Sequence, residues 1–366
     1  MYSNRSMRLN PKLVAGKGST VFGRCAKVFF KQMAFVPDLR TVRDARKLLD
    51  QYLPISRTIP AGSLSRPGMA VHLKLETELP TGSFKPRGAL YALATNLARR
   101  RVEEVTASST GNHGAAVAFA AKTLGVRATI FLPSNPNPVK RRKISDLGAR
   151  IVEGDSDLAG AFQEASAYSA RPGVYFLNDA TDRDVPVGTA TIGLEIVQQI
   201  PSVSTVYVPI GDSALIRGIA SVVKQLVPGV RVIGVQAERA PSYYLSWKEG
   251  RAVPTETCDT CADGLATRTP DAENVRRIRE LVDDVVLVSE DQMLKAISHL
   301  YHEEGVLAEP AGAAATAAFL LHDRSLDNRG TVETRLAASC VVLLVTGANI
   351  PEEVRQRAGI PKATSD

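Results

Sequence analysis

The residue best suited to carry out chemistry is Lys85, which lies between a predicted strand and a predicted helix. An apolar, alternating run over residues 70–75 predicts a strand. Pro80 and Gly82 indicate a turn, and Pro86 suits the first turn of a helix because its missing N–H would have no partner there. A lysine is usually a solvated surface charge, and the spacing alone favours that interpretation. A lysine desolvated at a strand end can instead lose its proton and act as a nucleophilic amine.

The residues around Lys85 favour the second interpretation, a nucleophilic amine. Residues 81–89, TGSFKPRGA, closely resemble the lysine motif of the pyridoxal-phosphate enzymes of the tryptophan-synthase-β structural type (fold type II), in particular the threonine/serine dehydratase and serine racemase branch. In that family the lysine of the motif holds pyridoxal 5'-phosphate as a Schiff base. The resemblance assigns this role to Lys85 and places Phe84 beside the cofactor ring.

A second cluster of small polar residues spans 108–114, SSTGNHG, between an apolar run and an alanine-rich helical pattern. Hydroxyl groups and glycine at a helix N-terminus expose backbone N–H groups to an anion, although an ordinary N-cap turn would account for one hydroxyl. The stretch resembles the loop that binds the substrate carboxylate in the same family. The resemblance predicts these substrate-binding residues: Ser109, Thr110, Gly111, Asn112 and His113. It also implies that Asn112 bonds the ring hydroxyl of the cofactor, and that Thr110 stands where the racemases carry an acid/base serine.

A third junction, at residues 209–215, PIGDSAL, follows the predicted strand 204–209 and precedes a helical pattern. A backbone nest at such a junction can bind phosphate. The dehydratases carry four consecutive glycines here, of which this chain keeps one. The predicted phosphate-binding backbone N–H groups are those of Gly211, Asp212, Ser213, Ala214 and Leu215. Asp212 is expected to turn outward, because its carboxylate would repel a phosphate of about two negative charges; a simple helix cap is the alternative.

Three further motifs occur in the same order along the chain as the motifs that they resemble in the family. Residues 261–265, CADGL, resemble a loop in which the glycine, here Gly264, backs the active site, although such a stretch can be only a turn. Glu309 begins EPAGA, which makes it a neighbour of the cofactor, although a glutamate before proline is often a cap. Thr346 begins TGAN and takes the place of the hydroxyl that bonds the pyridine nitrogen. A neutral hydroxyl leaves that nitrogen largely unprotonated, which favours elimination of a β-substituent.

No metal site is predicted. Relatives in this branch often bind a divalent cation through a Glu and an Asp after the strand that ends here at Val235, and the matching positions are Gln236 and Ser242. A hard cation requires such carboxylates. The pair Cys258 and Cys261 lacks the second pair of cysteines that a zinc site would need.

Composition excludes several classes of protein. The 366 residues are 44% hydrophobic and 23% charged, as in a soluble globular protein, and no apolar run is long enough to span a membrane. The net charge is +7, but residues 1–37 hold seven basic and no acidic residues, so a nucleic-acid partner is not indicated. This segment is interpreted as a basic tail or the product of an early start codon, with a transit-like peptide as the third alternative. Four cysteines in so long a chain fit a cytoplasmic location.

The segment from Pro54 to Gly68 is rich in Pro, Gly and Ser and is predicted to be a loop. Beyond Lys85, short apolar runs alternate with helical patterns, which predicts βαβ units and parallel sheets. The predicted strands lie near 104–107, 127–132, 149–153, 173–177, 204–209, 230–235, 284–288 and 340–345. After Pro351 only a short tail is expected. The resemblance covers residues 38–352 and implies an α/β fold of two domains with the cofactor in the cleft between them. The large domain would comprise 37–78 and 185–366 and the small inserted domain 79–184, after a tail at 1–36.

The resemblance implies a pyridoxal-phosphate-dependent ammonia-lyase (dehydratase) that eliminates the β-hydroxyl of threonine, serine or a related amino acid, and a homodimer or another homo-oligomer. Threonine-synthase-like β-replacement and amino-acid racemisation are alternatives within the family. A catalytically silent cofactor-binding or interaction protein on the same fold is the alternative of another class, and retention of Lys85, Asn112 and Thr346 argues against it.

Overall fold

Two β-sheets, one of six strands and one of four, organise the part of the chain that is described. The computed structural model describes residues 37–109, 111–134, 136, 138–154, 157–327 and 339–362. The strands are β1 Thr58–Pro60, β2 Met69–Leu75, β3 Glu104–Ser108, β4 Arg127–Leu132, β5 Arg150–Glu153, β6 Val174–Phe176, β7 Thr205–Pro209, β8 Arg231–Ala237, β9 Asp284–Val288 and β10 Ser339–Val345.

Helices connect most of the parallel strands and cover the sheets. They are α1 Leu39–Leu49, α2 Lys85–Arg99, α3 Asn112–Leu124, α4 Pro138–Asp146, α5 Leu158–Tyr168, α6 Val185–Gln199, α7 Ala214–Leu226, α8 Ser242–Glu249, α9 Ala272–Leu281, α10 Glu290–Glu304, α11 Pro310–Asp327 and α12 Glu352–Arg357. Within the described ranges, no helix combines the length and the apolar character needed to cross a bilayer.

The larger sheet has the strand order β1-β2-β10-β7-β8-β9, and the smaller one β5-β4-β3-β6. All neighbours pair in parallel except β1 and β2, which are antiparallel. The parallel sheets predicted from the alternating pattern are therefore confirmed. Parallel strands align their carboxyl ends, so the loops after them meet at one edge of each sheet.

The larger sheet is buried on both faces, as the side chains of β10 show. Val341, Leu343 and Val345 belong to one apolar core, whereas Val342 and Leu344 belong to the core on the opposite face. Successive side chains of a strand point to opposite faces, and a strand covered by helices on both sides therefore reads as a continuous apolar run. This explains why β10 is an uninterrupted apolar run in the sequence.

A buried network of charges attaches the start of α2 to the larger sheet. The guanidinium of Arg87 donates to Glu76, at 2.7 Å from Nε to Oε2, and to Glu195, at 2.7 Å from Nη1 to Oε1. Lys74 of β2 and Arg46 of α1 also contact Glu195. Because Arg87 follows Lys85 by two residues, this network fixes the first turn of the helix that carries the lysine.

Two elements differ from the sequence prediction. Residues 58–60 form the edge strand β1 inside a segment predicted to be a loop, because three residues with a proline carry no detectable alternation. Residues 352–357 form α12 where only a short tail was predicted. From Pro37 onward the chain forms one compact unit by its contacts, and the predicted boundaries at 79 and 184 stay a prediction. The predicted tail lies outside the described residues.

Candidate active site

A cavity of about 550 Å³ lies where the loops after β3, β6, β7 and β10 approach the start of α2. The predicted site residues that line it are Phe84, Lys85, Ser109, Gly111, Asn112, His113, Gly211, Asp212, Ser213, Ala214, Leu215, Gly264, Glu309 and Thr346. Thr110 lies outside the described residues. The tertiary structure thus brings segments more than 200 positions apart in sequence into one cavity.

Lys85 is the first residue of α2, and Pro86 stands in the first turn as predicted. The backbone N–H of Phe84 donates to the carbonyl of Thr346 at 3.0 Å, which ties the start of α2 to the end of β10. The Nζ of Lys85 donates to Oδ2 of Asp179. Burial would lower the pKa of Lys85, but the carboxylates of Asp179 and Asp212 outweigh burial and raise that pKa above its ordinary value.

Glu309 is buried against Gly347 and Asn112. Its backbone N–H donates to the carbonyl of Gly347 at 2.9 Å, and its Oε1 accepts from Nδ2 of Asn112 at 2.6 Å. A Cβ on Gly347 would lie 2.3 Å from Oε1, so a larger residue at this position would displace the carboxylate of Glu309. Burial, together with the negative charge of Asp263, raises the pKa of Glu309 to about 7. Within the described residues its Oε2 is buried without a hydrogen-bond partner, which leaves that atom for a bound group.

The turn before α7 has the shape of an anion site. Ser213, at the N-cap position of α7, adopts a φ of +73°, a conformation that non-glycine residues rarely take. Strain of this kind concentrates at functional sites. A Cβ on Gly211 would lie 2.2 Å from the carbonyl oxygen of Gly264, so the two loops can meet only because this position is glycine. The first backbone N–H groups of a helix have no acceptor within it, and the first residues of α7, Ala214 and Leu215, line this cavity.

The prediction that Asp212 turns outward is wrong. Its side chain lines the cavity, and its Oδ1 accepts from the hydroxyl of Thr267 at 3.2 Å. Burial, then the nearby charge of Asp179, raise the pKa of Asp212. Ser213 rather than Asp212 is the N-cap residue, and its side chain makes no capping hydrogen bond. The carboxylate of Asp212 also contributes to the raised pKa of Lys85, so it lies on the cavity side of the turn.

The loop after β3 is held by backbone and side-chain bonds on both sides. The N–H of Ser109 donates to the carbonyl of Phe131 at 3.2 Å, and the N–H of Gly111 donates to Oγ of Ser109 at 3.1 Å. His113, in the first turn of α3, has its Nε2 2.9 Å from the carbonyl of Leu177. Gly111, Asn112 and His113, at the N-terminus of α3, line the cavity, and their role in binding a carboxylate stays a prediction.

Sequence reasoning missed two charged residues of the cavity. Lys140 is buried and pairs with Asp263, although it belongs to the basic run VKRRK that reads as a solvated helix face. Asp179 pairs with Lys85, although it is one of several aspartates in the loop before α6. Neither position carries a local signal that separates it from its neighbours.

The cavity holds a lysine together with two helix N-termini, which are the groups that would attach and orient a phosphorylated carbonyl compound. The residues fit such a group, because the turn before α7 provides anion-binding N–H groups and Glu309 keeps a buried oxygen without a partner. The family described as "Pyridoxal-phosphate dependent enzyme" matches residues 54–347 of this chain. The chain belongs to that family.

Relatives place the chain in the branch of the threonine/serine dehydratases and serine racemases. It is 36% identical to the L-threonine ammonia-lyase of Geobacter sulfurreducens over 283 residues, which cover 77% of this chain and 68% of that protein. It is 34% identical to the L-threonine ammonia-lyase of Thermotoga maritima, with coverages of 85% and 75%. The structure of maize serine racemase superposes with a TM-score of 0.81 at 25% identity, with coverages of 89% and 97%. The predicted recognition and the predicted fold type II architecture are confirmed.

The positions where relatives carry metal-binding carboxylates form local hydrogen bonds here. Oε1 of Gln236 accepts from the N–H of Tyr244 at 2.9 Å, and the hydroxyl of Ser242 donates to the carbonyl of Thr267. Among the described residues no group of three or more His, Cys, Asp or Glu side chains is arranged to hold a metal ion. The absence of a metal remains a prediction.

Treatment with EDTA is expected to leave the activity within experimental error of the untreated enzyme, because neutral Gln236 and Ser242 replace the ligands that a hard cation needs. The measurement is turnover of L-threonine before and after exhaustive chelation, with added magnesium as the control. Activity that is lost on chelation and restored by magnesium would contradict the prediction.

Proposed function

We propose that this protein is a pyridoxal-phosphate-dependent ammonia-lyase that removes the β-hydroxyl of L-threonine, L-serine or a related amino acid to give a 2-oxo acid and ammonia. The observation that carries the proposal is the convergence of Lys85, the described residues 108, 109 and 111–113, the turn 211–215 and Thr346 on one cavity. The kinship with two L-threonine ammonia-lyases supports the same reaction.

In this proposal the cofactor, when bound, withdraws electrons from the α-carbon of an attached amino acid. Residues of the chain supply the binding groups and the group that transfers the proton. The N–H groups of residues 211–215 hold the phosphate, and the loop 108–113 holds the substrate carboxylate. The amine of Lys85 takes the proton from the α-carbon once it has been freed and deprotonated. The β-hydroxyl leaves with a proton, and the released enamine is hydrolysed to the 2-oxo acid and ammonia.

Thr346 supports elimination over other reactions. Its side chain is buried, it lines the cavity at the end of β10, and its carbonyl holds the N–H of Phe84. A hydroxyl that bonds the ring nitrogen does not force a proton onto it, as a carboxylate would. The ring is then a weaker electron sink, which favours rapid loss of a β-substituent.

Elimination is expected to exceed racemisation. Racemisation needs a second acid/base on the face opposite Lys85, and the only residue that the motifs offer there is Thr110, whose β-branch restricts the rotamers of its hydroxyl. The measurement is the rate of 2-oxo acid formation against the rate of D-amino acid formation from L-serine and L-threonine. Faster formation of the D-enantiomer would refute the assignment, and Thr110→Ala would then be the variant to examine. No 2-oxo acid from any β-hydroxy amino acid would favour the catalytically silent alternative.

We further propose that the enzyme is a cytoplasmic homodimer or another homo-oligomer, with the large and small domains divided at residues 79 and 184. The free thiols of Cys258, Cys261 and Cys340 fit a reducing compartment. The two sheets are built from chain segments on either side of these boundaries, which supports the domain division. Sedimentation equilibrium of the purified protein measures the oligomeric state.

A further inference from the structure

Asp179 is a carboxylate inside the cavity to which no motif assigned a role. It lies in the loop between β6 and α6, and 14% of its side chain is exposed, into the cavity. Its Oδ2 accepts from Nζ of Lys85 and lies 3.5 Å from Nδ1 of His113. A group that touches the amine of Lys85 is close to the substrate carbons on which that amine acts.

The loop that carries Asp179 is fixed in place. Oδ1 of Asn178 accepts from the N–H of Ala180 at 3.0 Å, which closes a tight turn around the aspartate. The carbonyl of Ala180 accepts from Nδ2 of Asn274 at 2.9 Å, and Asn274 is itself buried. The carboxylate is therefore positioned before any ligand arrives, as a recognition group has to be.

The surroundings keep Asp179 ionised. The carbonyl of Leu177 can only accept, so Nε2 of His113 carries the proton that joins them. The other ring nitrogen of His113, Nδ1, lies 3.5 Å from Oδ2 of Asp179. Burial would raise the pKa of Asp179, but the charges of His113 and Lys85 outweigh burial and hold it below its usual range. An ionised carboxylate accepts hydrogen bonds and cannot donate one.

Catalysis removes one partner of Asp179. When the amine of Lys85 is engaged with the cofactor or with the α-proton, it no longer pairs fully with this carboxylate, and a buried charge that loses its partner is costly. Asp212, a second carboxyl near Lys85, cannot replace the lost cation. A hydrogen-bond donor on the β-carbon of the substrate would give the carboxylate of Asp179 a new partner in place of the amine.

We propose that Asp179 binds the substituent on the β-carbon of the substrate and selects substituents that donate hydrogen bonds, an ammonium more strongly than a hydroxyl. This inference rests on the proposed elimination reaction and names the substrate group that the site prefers. A hydroxyl needs a proton from another source in order to leave as water. A β-ammonium brings its own proton: the C–N bond breaks, the electron pair leaves with ammonia, and one water hydrolyses the enamine to the 2-oxo acid and a second ammonia.

The first test compares three substrates with the same three-carbon frame: L-serine, L-2,3-diaminopropionate and 3-chloro-L-alanine, whose chloride leaves without a proton. For the holoenzyme and its Asp179→Asn variant, kcat/KM is measured from 2-oxo acid formation. The ratio of diaminopropionate to chloroalanine is expected to fall about 100-fold in the variant, as for a lost charge-assisted contact, and the ratio of serine to chloroalanine about 10-fold. An equal loss for all three substrates would overturn the proposal, because Asp179 would then act only through Lys85 or the fold.

Asp182→Asn is the matched control in the same loop. Its carboxylate accepts from the hydroxyl of Tyr175 and from the N–H of Asp184 at 2.8 Å, and it does not line this cavity. The control variant is expected to keep the substrate ratios of the wild type within about threefold, which is under 1 kcal/mol. A shift as large as that of Asp179→Asn would show that loop distortion, not the carboxylate, sets the selectivity and would overturn the proposal.

The second test measures binding before turnover. The holoenzyme is mixed rapidly with the amino acid, and the initial absorbance change of the cofactor is followed against concentration. L-2,3-diaminopropionate is expected to bind at least about tenfold tighter than L-alanine, which lacks a β-substituent, and Asp179→Asn is expected to lose this difference. Equal binding in the wild type would overturn the proposal even if threonine is turned over. Selective binding without any 2-oxo acid would support the role of Asp179 and refute the proposed lyase activity.

Discussion

Replacement of Lys85 by alanine is expected to lower kcat by about 10⁴-fold, the upper end of what proton transfer by a positioned side chain contributes. The amine is the only nucleophile that the lysine motif supplies, and its Nζ faces the cavity beside Asp179. The fold should survive, since 19% of the side chain is exposed and the apolar cores do not depend on it. The measurements are kcat with L-threonine and the visible absorbance of the bound cofactor.

Two further variants test whether activity needs the amine of Lys85 itself or only a positive charge at that position; one changes Lys85 and the other is a surface control. Lys85→Arg keeps a cation beside Asp179 but cannot be deprotonated, so it is expected to be as inactive as the alanine variant. Lys47→Ala removes an exposed lysine that pairs with Asp44 on the surface and should leave kcat unchanged. Substantial turnover by Lys85→Ala would end the assignment of the catalytic residue.

Replacement of Glu195 by leucine is expected to lower the free energy of unfolding by about 3–5 kcal/mol, the usual cost of removing one partner from a buried ion pair. Glu195 is buried and accepts from Arg46, Lys74 and Arg87. Without it Arg87 keeps Glu76 and Arg46 keeps Asp50, but the buried amine of Lys74 loses its ion-pair partner. The measurement is urea unfolding followed by circular dichroism. Loss of activity should accompany the destabilisation, because Arg87 lies in the first turn of the helix that begins at Lys85.

The pH dependence of stability provides an independent check on the same network. Burial would raise the pKa of Glu195, but the charges of Arg87 and Lys74 outweigh it and lower that pKa to about 2. A lowered folded-state pKa means that the stabilisation is complete above the ordinary value of 4.5 and is lost as the pH falls toward 2. The Glu195→Leu variant should therefore lose less stability than the wild type between these two values.

Glu78→Leu is the matched control on the surface. Glu78 pairs with Arg57, of which 69% of the side chain is exposed. Exposed pairs contribute about 0–1 kcal/mol because water and salt screen them. Equal destabilisation by the Glu78 and Glu195 substitutions would show that burial of the network contributes nothing to stability.

The sequence by itself determined the family, the reactive lysine and the parallel architecture. Each depends on local information. Lys85 lies in a dense motif of glycine, proline and hydroxyl residues, and such residues impose turns through their own backbone limits. The strands β4 and β9 were predicted with the bounds that the structure has, because each is a short apolar run that ends at polar or turn residues. The resemblance to the family, rather than the order along the chain of the loops that line the cavity, implied that these loops meet there.

Only the tertiary structure decided which charged residues meet inside the protein. Asp179 contacts Lys85 from 94 positions away, and Glu195 contacts Arg87 from 108 positions away. Nothing in the residues beside these carboxylates distinguishes them from solvated ones. The orientation of Asp212 was predicted wrongly for the same reason, because its partner Thr267 comes from a distant loop. The energy of a charge depends on burial and on partners brought close by folding, and a linear pattern records neither.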